Sequence, residues 1–221
     1  MRTLNAFLVA LLVGAGFVST AAAQAGAGDA QAGQKKAAMC IGCHSIPGYQ
    51  SSFPEVHKVP MIAGQNAKYL QASLAAYKSG DRRHPTMKAI AASLSDQDMA
   101  DLAAYFENQA KDRATLADKP QSEPPAAVAE LLTKGGCVAC HGANFSKPSD
   151  PAFPKLAGQH ADYLYVTLKG YKVQNNPHVG RSNPVMAGMT ANFTQAQLKQ
   201  LAQYIGSLPS ELAVVPQSRF R

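Results

Sequence analysis

All four cysteines of the 221-residue sequence lie in two segments of one pattern, Cys40-Ile41-Gly42-Cys43-His44 and Cys137-Val138-Ala139-Cys140-His141. On a helical turn, residues i and i+3 face the same side, so each segment presents two thiols along one edge with a histidine beside them. That arrangement suits covalent attachment of a haem, with two thioether bonds to the vinyl edge of the ring and the histidine directed at its iron. Cys40, Cys43, Cys137 and Cys140 are therefore the candidate thioether residues, and His44 and His141 the candidate proximal iron ligands. Other uses of the thiols fit less well. A thioredoxin-like redox pair belongs in a strand–helix βαβ setting, which is not evident here. A zinc site would have to join pairs with 93 residues between them, and a structural disulfide gives no reason for the histidines.

The two segments belong to a longer repeat. The Cys-x-x-Cys-His segments match at an offset of 97 residues. Pro60-Met61-Ile62-Ala63-Gly64-Gln65 matches Pro154-Lys155-Leu156-Ala157-Gly158-Gln159 at 94, as Tyr69 and Tyr77 match Tyr163 and Tyr171. Pro85-Thr86-Met87 matches Pro184-Val185-Met186 at 99, and Tyr105 matches Tyr204. The order of landmarks is kept while loop lengths drift, which describes a tandem duplication. The repeat also sorts the candidates for a second axial ligand. Met61 aligns with Lys155, Met99 with Leu198, His84 with Asn183, Met189 with Ile90, and His160 with Asn66. His57 has no clear counterpart, and His178 falls in an insertion. Met87 and Met186 recur, each two residues after a proline and eight before a helix cap, and are the candidate distal ligands. Their plainer role would be as core methionines. Histidine–methionine ligation fills both axial positions, leaves no open site for a substrate and raises the reduction potential.

The elements that must position these residues are helical. Ser95 can cap a helix whose apolar residues Met99, Leu102, Ala103 and Phe106 follow at i, i+3, i+4 and i+7. Thr194 with Gln197 reads as a capping box before Leu198, Leu201, Ala202 and Ile205 at the same spacing. Leu70, Leu74 and Tyr77 trace a further stripe, repeated by Leu164, Leu168 and Tyr171. No alternating strand pattern stands out, so the expected class is all-α. Pro120, Pro124 and Pro125 break any helix, which makes 117–125 the expected linker between domains at 24–116 and 126–221.

Composition agrees with two small folded domains. Hydrophobic residues make up 46% and charged residues 16%, which excludes wholesale disorder. With a mean hydropathy of −0.15, a polytopic membrane protein is excluded too. There is no Trp, and only eight Tyr and eight Phe, so a haem in each domain would supply bulk that the side chains lack. Arg2, the apolar stretch Phe7–Val18 and the small residues Ala21-Ala22-Ala23 read as an export signal at 1–23, cleaved after Ala23; the alternative is an uncleaved membrane anchor, for which the apolar run is short. The expected destination is the periplasm. Residues 24–118 carry ten Lys/Arg and nine Asp/Glu, against ten and five in 119–221. The basic second half points to an acidic protein partner or an anionic membrane surface, not to nucleic acid, given export and the lack of a dense basic run. Lys169, Lys172 and Arg181 are its candidate docking charges.

Taken in order, the motifs resemble those of the dihaem cytochrome c4 family. They comprise both Cys-x-x-Cys-His segments, Phe153-Pro154-Lys155-Leu156-Ala157-Gly158-Gln159-His160, Pro184-Val185-Met186-Ala187-Gly188-Met189, and Ser95 through Phe106. The resemblance spans essentially the whole chain after the signal. It implies two class I cytochrome c domains packed face to face, each around one covalent haem c. The implied function is a periplasmic electron carrier, often membrane-associated, that feeds a terminal oxidase or another membrane complex, with Met87 and Met186 on the irons. The chain departs from the family pattern at Ser45-Ile46-Pro47-Gly48, at Met61 in place of lysine, at Asp81-Arg82-Arg83-His84, and in the tail from Ser210. Pro47 is the expected backbone acceptor for His44, with no equivalent placed for His141. Two other functions compete. A dihaem peroxidase would be an enzyme and would need an open iron position. A dihaem subunit of a periplasmic dehydrogenase, such as a flavoprotein sulfide dehydrogenase, would share the same motifs.

Overall fold

A computed structural model describes residues 27–217; the expected export segment, 1–23, lies outside them. The first repeat folds as α1 (Ala30–Lys36), α2 (Ala38–His44), α3 (Ala67–Ser79), α4 (Pro85–Ala92) and α5 (Asp96–Asn108). The second follows the same order with α6 (Ala126–Lys134), α7 (Cys137–His141), α8 (Ala161–Gly170), α9 (Pro184–Ala191) and α10 (Gln195–Ser207). Among the described residues no helix is long and apolar enough to cross a membrane.

The caps fall where the sequence places them. Ser95 Oγ accepts from Asp98 N at 3.1 Å, and Asp98 returns the bond to Ser95 N, so α5 opens on a full capping box. Thr194 and Gln197 do the same for α10. Both helices bury the predicted stripe. Met99, Leu102, Ala103 and Phe106 form the centre of the first core, and Leu198, Leu201, Ala202 and Ile205 that of the second. In the first domain α1 crosses α5 at backbone contact. A Cβ on Gly33 would lie 2.1 Å from Asp101 O, so no other residue fits there without moving a helix. The stripe of α3 behaves differently, because that helix buries no residue. Leu70, Leu74 and Tyr77 stay half-buried along one side, giving a flat apolar group a surface to lie against. The second copy of this helix is shorter, with Tyr171 as its C-cap.

The all-α class holds, with two small additions to the helices. Two antiparallel pairs of two-residue strands are present: β1 (Gln50–Ser51) with β2 (His57–Lys58), and β3 (Arg82–Arg83) with β4 (Gly180–Arg181). The second pair joins the domains, with Arg82 opposite Arg181 and Arg83 opposite Gly180. Gly180 has φ +126°, and a Cβ there would meet the Arg83 guanidinium at 2.5 Å. Two residues are too few to show an alternating pattern. Elsewhere the domains meet through Lys58 and Asp162, through Lys68 and Asp150, and through the segment after α10. There Ala213 donates to Ala63 O at 3.0 Å, and Leu212 is fully buried.

Candidate functional site: two Cys-x-x-Cys-His helices facing a domain seam

The thiols and histidines share one short helix in each domain. Cys40, Cys43 and His44 end α2, and Cys137, Cys140 and His141 make up the ends and last turn of α7. None of the four cysteines is in a disulfide. Burial, with a smaller contribution from neighbouring Cys43, pushes the Cys40 thiol up to about 11, and burial raises Cys137 as well. Redox-active pairs need the opposite, a thiol lowered toward thiolate. Among the described residues no three His, Cys, Asp or Glu side chains are placed to hold a metal ion, so the zinc alternative has no geometry either.

Both histidines are oriented through Nδ1. His44 Nδ1 donates to Pro60 O at 2.8 Å, and His141 Nδ1 to Pro154 O at 3.2 Å. A carbonyl only accepts, so Nδ1 carries the proton and the Nε2 lone pair is left for a metal. Burial depresses both histidine pKa values and keeps the rings neutral. Pro47 is therefore not the acceptor, contrary to the expectation. The acceptor returns 16 residues later instead of three, from the Pro-x-x-Ala-Gly-Gln segment. Pro60 and Pro154 are the repeat-matched pair, which supplies the counterpart for His141.

Met87 and Met186 occupy equivalent places in the first turns of α4 and α9, each after a proline at the helix start. Their backbone N–H groups are capped by equivalent side chains. His84 Nδ1 accepts from Met87 N at 3.5 Å, and Asn183 Oδ1 from Met186 N at 2.9 Å. Both ring nitrogens of His84 are engaged, since Nε2 lies 3.2 Å from Phe53 O. Met99 is sealed in the α5 core, and Met189 is 46% exposed. His57 is buried with Nδ1 on Glu55 O at 2.8 Å. Met87 and Met186 sit half-buried on helices other than those of the histidines.

The seam holds residues that sequence reasoning undervalued. Arg82 Nη2 donates to Tyr163 Oη at 2.6 Å, and its guanidinium lies 4.5 Å from the centre of the Tyr77 ring. Arg181 Nη2 donates to the same phenol at 3.2 Å and to Thr167 Oγ1 at 3.0 Å. Burial alone would raise the Tyr163 phenol, yet the two guanidiniums bring it down to about 7. Arg82 Nε is buried with no partner. These are the electrostatics of a site suited to an anion. The other expected docking charges are occupied too. Lys169 pairs with Glu55, and Lys172 donates to Phe193 O at 2.6 Å and to Ala191 O at 3.1 Å. The repeat pattern itself, with Arg82 and Arg181 each three residues before the matched proline, was the signal for the seam pair.

A haem fits this setting on several independent counts. Each domain offers paired thiols, a neutral histidine with a free Nε2, and a flat apolar surface on α3 or α8. At the seam, a haem's propionate carboxylates are the anions that the orphaned Arg82 Nε and its neighbours suit. Fold and site thus define two c-type cytochrome domains in tandem. The cytochrome c family profile matches residues 30–110 and again 125–209. Cytochrome c4 of Pseudomonas aeruginosa is 34% identical over 215 residues, covering 93% of this chain and 100% of the relative. The crystal structure of reduced recombinant cytochrome c4 from Pseudomonas stutzeri superposes with a TM-score of 0.61 at 30% identity, covering 83% of this chain and 100% of that one. A thiosulfate dehydrogenase electron acceptor from Stutzerimonas stutzeri is 31% identical over 190 residues, covering 80% of this chain and 83% of the relative. The chain belongs to the cytochrome c4 family and carries two covalently bound haem c groups.

Proposed function

We propose that the protein is a periplasmic electron carrier without catalysis of its own, exported by a signal removed after Ala23. In this reading His44 and Met87 bind one iron, and His141 and Met186 the other. The haems are tethered through Cys40 and Cys43, and through Cys137 and Cys140. The observation that carries the reading is the duplicated polar frame around both ligand pairs. Each domain has the repeat-matched proline carbonyl on Nδ1 and a side-chain cap on the methionine N–H from the residue three positions before it, His84 in one and Asn183 in the other. The bound haem supplies the one-electron Fe(III)/Fe(II) couple. The chain's share is to hold the histidine rings neutral and aimed, to fix each methionine in a first helical turn, and to keep water from the apolar faces of α3 and α8. Residues 117–125, between α5 and α6, serve as linker between domains 24–116 and 126–221.

The electron acceptor in this reading is a membrane oxidase or reductase complex, met at the membrane surface. A second reading is favoured by one observation, the likeness to a thiosulfate dehydrogenase electron acceptor. There the protein takes electrons as the cytochrome partner of a periplasmic dehydrogenase. A pyridine haemochrome assay with intact mass should give two haems per chain without residues 1–23. Co-purification with a dehydrogenase subunit would favour the second reading over the first. Peroxide turnover or a high-spin haem would overturn both.

A further inference from the structure

Gln65 and Gln159 are polar side chains only 3% and 4% exposed, and both reach across the seam. Gln159 Oε1 accepts from Met61 N at 3.0 Å while its Nε2 donates to Met61 O at 2.8 Å. Gln65 mirrors this on the other domain. Its Oε1 accepts from Lys155 N at 2.9 Å, and its Nε2 donates to Lys155 O at 2.9 Å. Each Oε1 also accepts from the next residue's own N–H, Asn66 or His160, at 3.0 Å, which sets the orientation of the amide.

The partners matter more than the number of bonds. Met61 follows Pro60, and Lys155 follows Pro154. The N–H of Met61 and the carbonyl of Pro60 belong to one peptide unit, as do the N–H of Lys155 and the carbonyl of Pro154. One unit therefore gives its N–H to Gln159 of the second domain and receives His44 Nδ1–H at its oxygen, 2.8 Å away. The other gives its N–H to Gln65 of the first domain and receives His141. Hydrogen bonds in such a chain polarise one another. A peptide whose N–H is engaged has a more negative oxygen, which strengthens the bond from the histidine and makes its Nε2 a better donor to a metal.

We propose that Gln65 and Gln159 are positioning residues that act across the seam, each tuning the iron-binding histidine of the opposite domain. The inference rests on His44 and His141 being iron ligands, as proposed above. A more basic histidine favours the ferric state, so loss of a glutamine raises the potential of the haem in the other domain. A glutamine that only glued the domains together would affect both haems alike.

The test uses the full-length dihaem protein, with the ring Nδ1–H resonances of both histidines followed by NMR in the reduced state, alongside a two-step redox titration. Gln159→Met should move the His44 resonance upfield and raise that haem's potential, leaving His141 in place; Gln65→Met should do the reverse. Shifts in the mutated residue's own domain, equal shifts in both, or none would overturn the proposal. Should Gln159→Met separate the domains, seen as an increased hydrodynamic radius, Gln159→Glu decides. It keeps an acceptor on Met61 N–H, so a downfield shift confined to His44 supports the coupling and no shift overturns it. A wild-type His44 resonance without haem ring-current displacement would overturn the ligand assignment itself. A displaced resonance that ignores Gln159 would overturn only the coupling.

Discussion

Arg82 and Arg181 stand opposite one another in the antiparallel pairing of β3 with β4, one from each domain. Their polar partners are phenols and a threonine hydroxyl, and among the described residues neither pairs with a carboxylate. Two like charges held this close in a half-buried seam repel, so the seam favours an anion beside them.

Those charges predict a redox effect. A cation near an iron disfavours its ferric state, so Arg82→Leu should lower the reduction potentials. Across about 15 Å at an effective dielectric near 20, the loss is about 1 kcal/mol, or ~40 mV for one electron. Spectroelectrochemical titration of the variant reads this directly, and unchanged or raised potentials would contradict it.

Ligation is separable domain by domain. In the oxidised protein, Met87→Ala should remove about half of the sulfur-to-iron charge-transfer absorption, and Met186→Ala the other half. A band of undiminished intensity after either substitution would refute that ligand. His84 would be a poor replacement, because both of its ring nitrogens are already used.

Haem and fold should prove inseparable in the first domain. Its core cluster is built on Ile41, Leu94, Met99, Leu102 and Phe106, and α3 adds no buried residue. Cys40→Ala combined with Cys43→Ala should therefore unfold this domain while leaving the second intact, with roughly half of the helical circular dichroism lost. Full native helicity in that variant would show the core to be self-sufficient.

Acid should loosen the α1–α5 crossing first. Asp101 accepts from Asp29 N, Lys36 Nζ and Gln97 Nε2 at 2.6–2.9 Å, and these bonds hold its carboxyl below the ordinary range. With the folded value depressed, the stabilisation is present above the unfolded value of about 4 and fades as pH falls below it. Asp101→Asn should cost about 1–3 kcal/mol near neutrality and flatten the acid limb of the denaturation curve. An unchanged acid limb would place the sensitivity elsewhere.

Much of this was legible in the chain. Ser95 and Thr194 announced their helices because capping is a local, three-residue affair, and the repeat singled out Met87 and Met186 by position. What escaped was long-range. Pro47 was the expected partner of His44 because it is near in sequence, whereas the carbonyl that binds it comes back from Pro60. The recurrence of Gln65 and Gln159 was visible, but their bonds run to the other repeat, which no self-alignment reveals. Lys169, Lys172 and Arg181 looked like outward charges until carbonyls, Glu55 and tyrosines were folded against them.

The segment after α10 has a consequence for the order of assembly. Ala213 pairs with Ala63, and Glu211 Oε1 accepts from Leu116 N at 3.0 Å, so the first domain borrows part of its wall from residues made 95 to 150 positions later. Contacts of such separation close late in folding. During translation that flank of the first domain stays open until the second half of the chain has been made. The seam then becomes a checkpoint of completion: a molecule with both halves in register is the one in which the two haem sites are locked against each other.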